Sequence, residues 1–212
     1  MGCLVLVEKK GSVLFNLIAP VYSLFYKIQK KRFTEVINGA MNEFDLTAFK
    51  TIIDIGCGTG ALCSVMSEKG LAVTGIDTAG KMLEIARSKT ENKNIRFFQA
   101  NVLETLPFEE KRFDIALASY VAHGLKAGER KLMYAEMSRV AKHFVVIYDY
   151  NDKRSPLTTF IEWLEGGDYF HFIRNAEPEM KDCITEMKSC FSDVKVVNVD
   201  TRAAWYICKP LV

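Results

Sequence analysis

A glycine-rich stretch carries the clearest chemical signal in the chain. An apolar, β-branched run from Ile52 leads directly into Gly56, Gly58 and Gly60. Glycines after a buried strand permit positive φ angles, and a ligand can lie against their backbone because no Cβ stands in the way. The N–H groups at the start of a following helix attract an anion. The spacing differs from the dinucleotide fingerprint Gly-x-Gly-x-x-Gly, because the third glycine comes one residue early and Asp54 lies inside the strand.

A carboxylate ends the next apolar run, in Gly75-Ile76-Asp77. At this point of a doubly wound sheet, a carboxylate can accept hydrogen bonds from both hydroxyls of a ribose. The alternative is an ordinary cap at the start of the next helix. Asp77 is therefore a candidate ribose ligand.

The elements that position these residues alternate between short β-branched runs and amphipathic stretches. The predicted strands are Thr51–Gly56, Ala72–Asp77, Asn94–Ala100, Phe113–Ser119 and His143–Tyr150. The predicted helices between them are Ala61–Glu68, Lys81–Lys89 and Glu129–Lys142. Strand–helix–strand units at this spacing predict a parallel sheet with helices on both faces.

The two ends of the chain follow other patterns. Val194–Val199 and Ala203–Lys209 are strand-like, and their connection is too short for a parallel crossover, so an antiparallel hairpin is predicted. From Val13 to about Phe44 the pattern is helical, and Pro20 is expected to open a helix. The apolar residues of this helix form a stripe, namely Leu17, Val21, Leu24, Phe25, Ile28, Phe33, Val36, Ile37 and Ala40.

The domain organisation predicted from these patterns is a single domain over residues 1–212. It comprises an N-terminal helical cap (1–48), a cofactor-binding core (49–150), an insertion (151–192) and a terminal β-hairpin (193–212). The insertion is rich in aromatic residues, with Gly166-Gly167 as a hinge or turn. Core packing under a loop and a lid over a pocket are both open interpretations of it.

The motifs in this order resemble those of class I S-adenosylmethionine-dependent methyltransferases. The run from Asp54 to Gly60, followed by Gly75-Ile76-Asp77, resembles the first two motifs. Residues 101–108 resemble the third motif and 113–119 the fourth strand. The resemblance covers roughly residues 50–150 and is strongest to the small-molecule branch that includes the ubiquinone and menaquinone biosynthesis enzymes. It implies a Rossmann-like, doubly wound α/β sheet of seven strands, mostly parallel with a C-terminal antiparallel hairpin strand.

The resemblance also implies S-adenosylmethionine as the cofactor and assigns a role to individual residues. Gly56, Gly58 and Gly60, with Cys57, would line the methionine part, and Asp54 would hold its amino group. The remaining contacts are implied for the ribose (Asp77, with Thr78 in the same loop), the adenine (Met82, Asn101 and Val102) and the sulfonium (Ser119 and Tyr120). Met82 has helix-core packing as its alternative role.

Two positions depart from the family pattern. Position 101 is Asn where Asp is common, but its side-chain oxygen can still accept a hydrogen bond from the adenine amine. The fifth strand usually follows a Pro-Gly-Gly-like turn, whereas here the run is Arg139-Val140-Ala141-Lys142-His143-Phe144. The entry into that strand is therefore expected to differ.

The cofactor of this class is an activated methyl donor, so the protein chiefly has to position an electron-rich atom and exclude water. A general base helps only where the acceptor must lose a proton. His123 is the candidate base, with a pocket wall as its alternative role, and Tyr120 is the second candidate catalytic residue. His143 and His171 are expected to be structural or substrate-lining. Tyr22 and Tyr26 either close over the cofactor or pack in the helix stripe.

The composition and the missing motifs limit the kinds of molecule on which this protein is expected to act. The chain has 212 residues, 49% hydrophobic and 25% charged, with a net charge of +2, which is typical of a globular domain and not of a nucleic-acid binder. The cluster Lys27, Lys30, Lys31 and Arg32 fits a solvated helix face. Residues after the fourth strand match neither the amino-methylating nor the cytosine-C5 motif of nucleic-acid enzymes. Small, partly apolar metabolites are therefore the expected substrates.

Further expectations concern metals, location and assembly. Asp149 and Asn151 lack the partner that a metal-dependent catechol-type site needs, so no metal is predicted. Six scattered cysteines without zinc-ligand spacing indicate reduced thiols and a cytoplasmic location. No run is long and apolar enough for integral membrane association. A monomer or homodimer is expected.

Two other functions compete with methyl transfer on the same fold. A nicotinamide-dependent oxidoreductase would respond to NAD, and the terminal antiparallel hairpin argues against it. A non-catalytic cofactor-binding or partner protein on the same fold would bind the cofactor without transferring a methyl group, since a fold does not by itself establish turnover.

Overall fold

A seven-stranded mixed sheet organises the structure, a computed structural model that describes residues 2–90, 94–151, 184–201 and 203–211. The strand order is β3-β2-β1-β4-β5-β7-β6. The strands are β1 (Thr51–Ile55), β2 (Ala72–Asp77), β3 (Ile95–Gln99), β4 (Phe113–Ser119), β5 (Ala141–Tyr150), β6 (Phe191–Asn198) and β7 (Ala203–Pro210). β1 to β5 pair in parallel, and β7 pairs antiparallel with both β5 and β6. The predicted doubly wound sheet and its antiparallel hairpin are thus confirmed.

Helices cover both faces of the sheet. They are α1 (Gly2–Ala40), α2 (Ala61–Glu68), α3 (Gly80–Lys89) and α4 (Ala127–Val140), with short 3₁₀ turns at Leu46–Ala48 and Ala122–Gly124. One core packs α1 and α2 against the sheet through residues such as Ile37 and Met66. The other packs α4 and the helical residues 184–190 through residues such as Met133 and Met187. Parallel strands buried on both faces explain the continuous apolar runs in the sequence.

The entry into β5 has no loop at all. α4 ends at Val140 and β5 begins at Ala141, whose N–H still donates to the carbonyl of Met137. The predicted helix end at Lys142 and strand start at His143 were both placed too late. The departure from the Pro-Gly-Gly-like turn is therefore a direct helix-to-strand junction, and the β4–β5 register beyond it is regular from Ile115 to Ser119.

Two expectations for the N-terminal helix were wrong. Pro20 lies inside α1 and does not open a helix, so the carbonyl of Asn16 lacks its usual donor one turn later. The first half of the apolar stripe points to solvent, because α1 contacts α2 and α3 along its opposite side. The exposed stripe residues and their relative exposures are Leu17 69%, Val21 55%, Leu24 77%, Phe25 50% and Ile28 65%.

The second half of α1 packs as predicted. Val36, Ile37 and Ala40 are buried, and Phe33 packs against the same core. In the first half, Ala19 is fully buried beside Ala79 and Met82 of the α3 region, with Phe15 and Tyr22 packed against them. In its first half, the helix therefore faces the core with other side chains than those of the apolar stripe.

The predicted insertion is described only at its ends. Asn151 is buried, and β6 already begins at Phe191. The aromatic stretch with Phe160, Trp163, Tyr169, Phe170, His171 and Phe172, and its Gly166-Gly167 turn, lies outside the described residues. The lid and the domain boundaries stay predictions. Within the described ranges, no helix is both long and apolar enough to cross a membrane.

Candidate cofactor and active site

The glycine loop after β1 has the backbone conformation that its sequence predicts. Gly56, Gly58 and Gly60 have φ angles of +69°, +52° and +76°, in the left-handed region that side-chain-bearing residues rarely adopt. A Cβ on Gly56 would lie 2.6 Å from Cγ2 of Val121, whereas a Cβ on Gly58 would meet no atom within 4 Å. The loop is therefore closed against its neighbours at Gly56 and open at Gly58, where a ligand can approach the backbone.

Asp77, at the end of β2, is joined to this loop. One carboxylate oxygen accepts a hydrogen bond from the Gly58 N–H and the other from the Ala79 N–H, both at 2.8 Å. Each oxygen has a second lone pair, so the carboxylate can still accept from two ribose hydroxyls. Burial raises the pKa of Asp77 above its ordinary value, against the hydrogen bonds that lower it. Since Ala79 is the N-cap of α3, Asp77 also stabilises the start of that helix.

Two buried polar atoms near the ends of neighbouring strands, one on Asp54 and one on Ser119, have no partner among the described residues. Asp54 on β1 is 2% exposed, and its Oδ2 accepts from the Cys63 thiol at 3.1 Å. Within the described part of the chain, neither Oδ1 of Asp54 nor Oγ of Ser119 on β4 has a hydrogen-bond partner. A buried polar atom left in this way costs about 1–3 kcal/mol. A ligand carrying hydrogen-bond donors would remove that cost.

Burial also controls the charge of Asp54. Desolvation raises its pKa from 3.8 to about 7, and the nearby Asp77 carboxylate adds to the rise, while the Cys63 hydrogen bond opposes it. A cation bound at Oδ1 would favour the ionised form. The atoms at this strand end therefore fit a ligand with a positively charged amino group.

The residues assigned to the adenine lie at the next strand ends. Oδ1 of Asn101 accepts from the Leu103 N–H at 3.0 Å, and Val102 is 8% exposed. Thr78 is exposed, and its carbonyl accepts from the side-chain amide of Gln99. Met82 is 2% exposed and packs with Ala19, which favours the helix-core role that the sequence left open.

Helix α1 contacts the rim of the site through Asn16, Tyr26 and Gln29, of which only Tyr26 was a candidate from the sequence. The Thr59 hydroxyl in the glycine loop donates to Oε1 of Gln29 at 3.2 Å. Oδ1 of Asn16 accepts from the N–H of Lys81 in the first turn of α3. Tyr26 is buried and donates to the carbonyl of Lys89, which favours its packing role. No sequence signal marks these polar contacts, because they join residues at least 30 positions apart.

On the other side of the glycine loop, an aromatic group surrounds the end of β4. Tyr120 has φ of +56°, and its N–H donates to the Tyr148 carbonyl at 2.8 Å. Its ring centroid lies 4.9 Å from that of Tyr148 and 5.1 Å from that of Tyr150. A side-chain-bearing residue in the left-handed region stores backbone strain, which occurs often at functional sites. Tyr120 and Ser119 are thus placed together at the strand end.

His123 lies in the 3₁₀ turn after β4 and contacts Asp149 on β5. The distance from His123 Nδ1 to Asp149 Oδ1 is 2.9 Å, and the side chains are 11% and 6% exposed. The sequence pattern drew attention to Asp149 only in connection with a metal site, and it predicted no metal there. The signal that could have found it is a polar residue at the carboxyl end of a parallel strand, where ligand sites form.

The other predicted histidines lie elsewhere. His143 on β5 is exposed, and its Nε2 lies 3.8 Å from Asp114 at the opposite end of the sheet from the glycine loop. His171 is outside the described residues. Among the side chains that the structure describes, no group of three or more His, Cys, Asp or Glu is arranged to hold a metal ion. The described cysteines 57, 63, 190 and 208 are free thiols.

The fold and the site together fit one kind of ligand. The sheet is parallel from β1 to β5 and is extended by the antiparallel strands β7 and β6. The glycine loop after β1, the carboxylate after β2 and a buried carboxylate oxygen without a partner among the described residues suit an adenosyl cofactor with a charged amino group. Residues 52–143 match a family model described as a methyltransferase domain. Over these residues the chain is similar to the class I S-adenosylmethionine-dependent methyltransferases that its motifs resemble, and S-adenosylmethionine is the cofactor of that class.

Relatives are similar to this chain over part of its sequence, and solved structures are similar to it in fold. The chain is 41% identical over 73 residues to the demethylmenaquinone methyltransferase of Tropheryma whipplei and 31% identical over 67 residues to the ubiquinone biosynthesis O-methyltransferase of Coxiella burnetii. The matched stretches cover 34% and 31% of this chain but only 30% and 29% of those relatives. A methyltransferase structure from Methanococcus maripaludis has a TM-score of 0.68 at 17% identity and covers 93% of this chain and 94% of its own, which shows a shared fold.

Proposed function

We propose that this chain is an enzyme that transfers a methyl group from S-adenosylmethionine to a small, partly apolar metabolite and releases S-adenosylhomocysteine. One observation carries the proposal. Two buried polar atoms without described partners, Asp54 Oδ1 and Ser119 Oγ, flank a glycine loop that is open at Gly58. The arrangement suits a ligand that has an amino group and is narrow enough to lie against the loop backbone. The methionine part of the cofactor has both properties.

The residues present fit this cofactor along the strand ends. Asp54 would take the ammonium end, Ser119 would lie beside the sulfonium, and the loop from Gly56 through Cys57 and Gly58 to Gly60 would line the methionine chain. The carboxylate of Asp77, beside Thr78, would bind the ribose hydroxyls. Asn101 and Val102 would contact the adenine, with Met82 supporting that wall from the core.

The cofactor supplies an activated methyl group, so the protein's contribution is positioning. The strand ends fix the donor, and the aromatic side chains of Tyr120, Tyr148 and Tyr150 offer an apolar surface beside Ser119 where an acceptor can be held in line. Holding two reactants in such a geometry can supply several kcal/mol of the barrier, on the order of 7–11 kcal/mol in well-oriented cases. Tyr120 and His123 are the side chains that we place next to the reacting atoms.

The small-molecule acceptor is supported by the surroundings of the site. The rings near Tyr120 suit a partly apolar compound, and the net charge of +2 gives no excess of positive charge for a nucleic acid. Two relatives carry names that refer to demethylmenaquinone and to ubiquinone biosynthesis. A monomer or homodimer, without nucleic acid and in the cytoplasm, belongs to the same proposal.

Isothermal titration calorimetry and a methyl-transfer assay test the proposal. We expect the wild-type chain to bind S-adenosylmethionine and S-adenosylhomocysteine, with thermal stabilisation that follows ligand concentration, and not to bind NAD. We expect labelled methyl to pass to members of a metabolite panel. Cofactor binding without any transfer would indicate a non-catalytic binding protein, and a response to NAD alone would indicate an oxidoreductase.

The variant Asp77→Ala tests whether Asp77 binds the ribose of the cofactor. Losing two hydrogen bonds to the cofactor should weaken its binding by about 2–3 kcal/mol, roughly a 30- to 150-fold rise in Kd. Asp77→Asn, which keeps one carbonyl oxygen, should lie between the two proteins, and Asp193→Ala on β6 is the control for charge. Unchanged affinity in Asp77→Ala, with an intact circular dichroism spectrum, would show that the ribose binds elsewhere.

A further inference from the structure

The side chain of Asp149 holds His123 at two points. Oδ1 lies 2.9 Å from Nδ1 of the ring, and Oδ2 accepts from the backbone N–H of His123 at 3.1 Å. Oδ1 also accepts from the N–H of Tyr150 at 2.8 Å. Asp149 is 4% exposed, so these contacts are made away from bulk water. The position and the orientation of the imidazole are both set by this carboxylate.

The contact also selects the tautomer of the neutral ring. An ionised carboxylate only accepts hydrogen bonds, so Nδ1 must carry the proton that it donates to Asp149. The lone pair of the imidazole is then on Nε2, which is the nitrogen that can take up a proton. This is the arrangement of a general base whose positive charge, once formed, is stabilised by the carboxylate behind it.

The aromatic rings restrain the imidazole further. The ring centroid of His123 is 5.0 Å from that of Tyr150 and 6.4 Å from that of Tyr120. Among the described residues, the groups with charge or acidic protons around it are Asp149 and Tyr150 on β5 and Tyr120 after β4, while Arg32 of α1 acts on Tyr120 and Tyr148. Ser119, which we place beside the cofactor, is four residues from His123. The base is thus built into the proposed acceptor side of the site.

We propose that Asp149 is the positioning residue for His123 as general base, and that the methyl acceptor is consequently an ionisable hydroxyl group, a phenol or an enol, on a ring-bearing small molecule. The inference rests on the proposed function. Phenols ionise near pH 10 and thiols near pH 8.5, so at neutral pH a base helps a phenol more than it helps a thiol. An aromatic amine is already nucleophilic when neutral and needs no base to attack. The tyrosine rings provide the apolar surface for the ring of such an acceptor.

The step balances in atoms and charge. His123 Nε2 takes the hydroxyl proton while the acceptor oxygen forms its bond to the methyl carbon. The carbon–sulfur bond breaks with its electron pair going to sulfur, so the products are a methyl ether, a neutral thioether and an imidazolium. The positive charge moves from sulfur to a ring that contacts the Asp149 carboxylate, and the proton then passes to solvent.

Nitrogen NMR of the histidine rings tests the positioning without any substrate. The chain has three histidines, and His123→Gln identifies the signal of position 123. At a pH where the ring is neutral, we expect the wild type to show the Nδ1–H tautomer at His123. In Asp149→Asn we expect that preference to be lost, because an amide group can donate to Nδ1. Retention of the Nδ1–H tautomer in the variant would overturn the role of Asp149.

Kinetics with a matched acceptor panel tests the substrate class. Hydroxyquinolines and the corresponding aminoquinolines share a skeleton and differ in the acceptor atom. We expect transfer to the hydroxyl compounds and a fall in kcat of about 100-fold or more in Asp149→Asn, with the cofactor KM unchanged. Asp114→Asn, which alters the Asp114–His143 contact outside the site, is the control and should leave both His123 and kcat as in the wild type.

The outcomes separate this inference from the proposed function. Transfer confined to the amines, or absent from every hydroxyl compound, would overturn the acceptor class. An equal loss of kcat in Asp149→Asn and Asp114→Asn would point to a general structural effect and overturn the positioning role. A protein that fails to bind S-adenosylmethionine in calorimetry would contradict the proposed function itself, whatever the histidine tautomer.

Discussion

The buried carboxylate of Asp54 makes a prediction that stability measurements can decide. In the folded protein its pKa is about 7, against 3.8 for the unperturbed group, chiefly because burial disfavours the charge. The folded state therefore binds more protons than the unfolded state between about pH 4 and pH 7. By linkage, stability must fall as the pH rises through this window and level off above it.

The magnitude follows from the shift. About three pKa units correspond to roughly 4 kcal/mol over the whole window, of which about 2–3 kcal/mol falls between pH 5 and pH 8. The side chain of Asp54→Asn cannot ionise. The free energy of unfolding of this variant should therefore lack the part of the pH dependence that comes from Asp54. Its amide also replaces the unpartnered Oδ1, which shifts stability equally at all pH values. The informative quantity is thus the change between the two pH values and not stability at either one.

Urea denaturation of both proteins at pH 5 and pH 8 gives that quantity. We expect the wild type to lose about 2–3 kcal/mol more than Asp54→Asn over this interval, with similar m-values. The other titrating groups are shared and cancel in the comparison. Parallel pH dependences of the two proteins would refute the argument that Asp54 is ionised at a cost.

Cofactor binding gives an independent check on the same carboxylate. An ammonium group at Oδ1 should favour the ionised form, so binding near pH 7 should release protons from the wild type. Calorimetry in buffers of different ionisation enthalpy measures that release. Asp54→Asn should bind more weakly and release none through this group.

The remaining predictions concern α1 and the glycine loop. Leu24→Ser, at a position 77% exposed, should change the free energy of unfolding by less than about 0.5 kcal/mol, whereas Ile37→Ala, at 2% exposure, should cost about 2–5 kcal/mol in urea denaturation. A large loss in Leu24→Ser would show that the stripe is packed in solution. Gly58→Ala should cost about 1–2 kcal/mol through its positive φ and weaken cofactor binding in calorimetry, because its methyl group fills the open side of the loop. Gly56→Ala should be the more destabilising in thermal unfolding, since its Cβ meets Val121 at 2.6 Å. Cofactor affinity unchanged in Gly58→Ala would contradict the placement of the ligand.

Much of the fold follows from local patterns. The limits of β2 and β4 coincide with the predicted runs Ala72–Asp77 and Phe113–Ser119, because a strand buried on both faces is a continuous apolar segment bounded by polar or glycine residues. The antiparallel end of the sheet follows from the short connection after residue 199. The positive φ angles of the loop follow from glycines placed directly after β1.

Helix α1 shows where local patterns are insufficient. Its first half is apolar on more than one side, so periodicity alone does not decide which side meets the protein. The contacts with α2 and α3 bury Ala19 and Tyr26 and leave Leu17 and Leu24 in solvent. Pro20 was expected at a helix start, but the helix continues through it. Packing energy from the rest of the helix outweighs one missing backbone hydrogen bond.

The sequence alone therefore determines the order of strand, glycine loop, strand and carboxylate, because each of these features depends on residues that are neighbours along the chain. The tertiary structure alone decided which distant side chains meet. Asp149 contacts His123 because β5 lies beside β4, and Gln29 contacts Thr59 because α1 crosses the loop. Such contacts depend on how whole helices and strands pack against each other. Local sequence patterns around either residue therefore do not predict them.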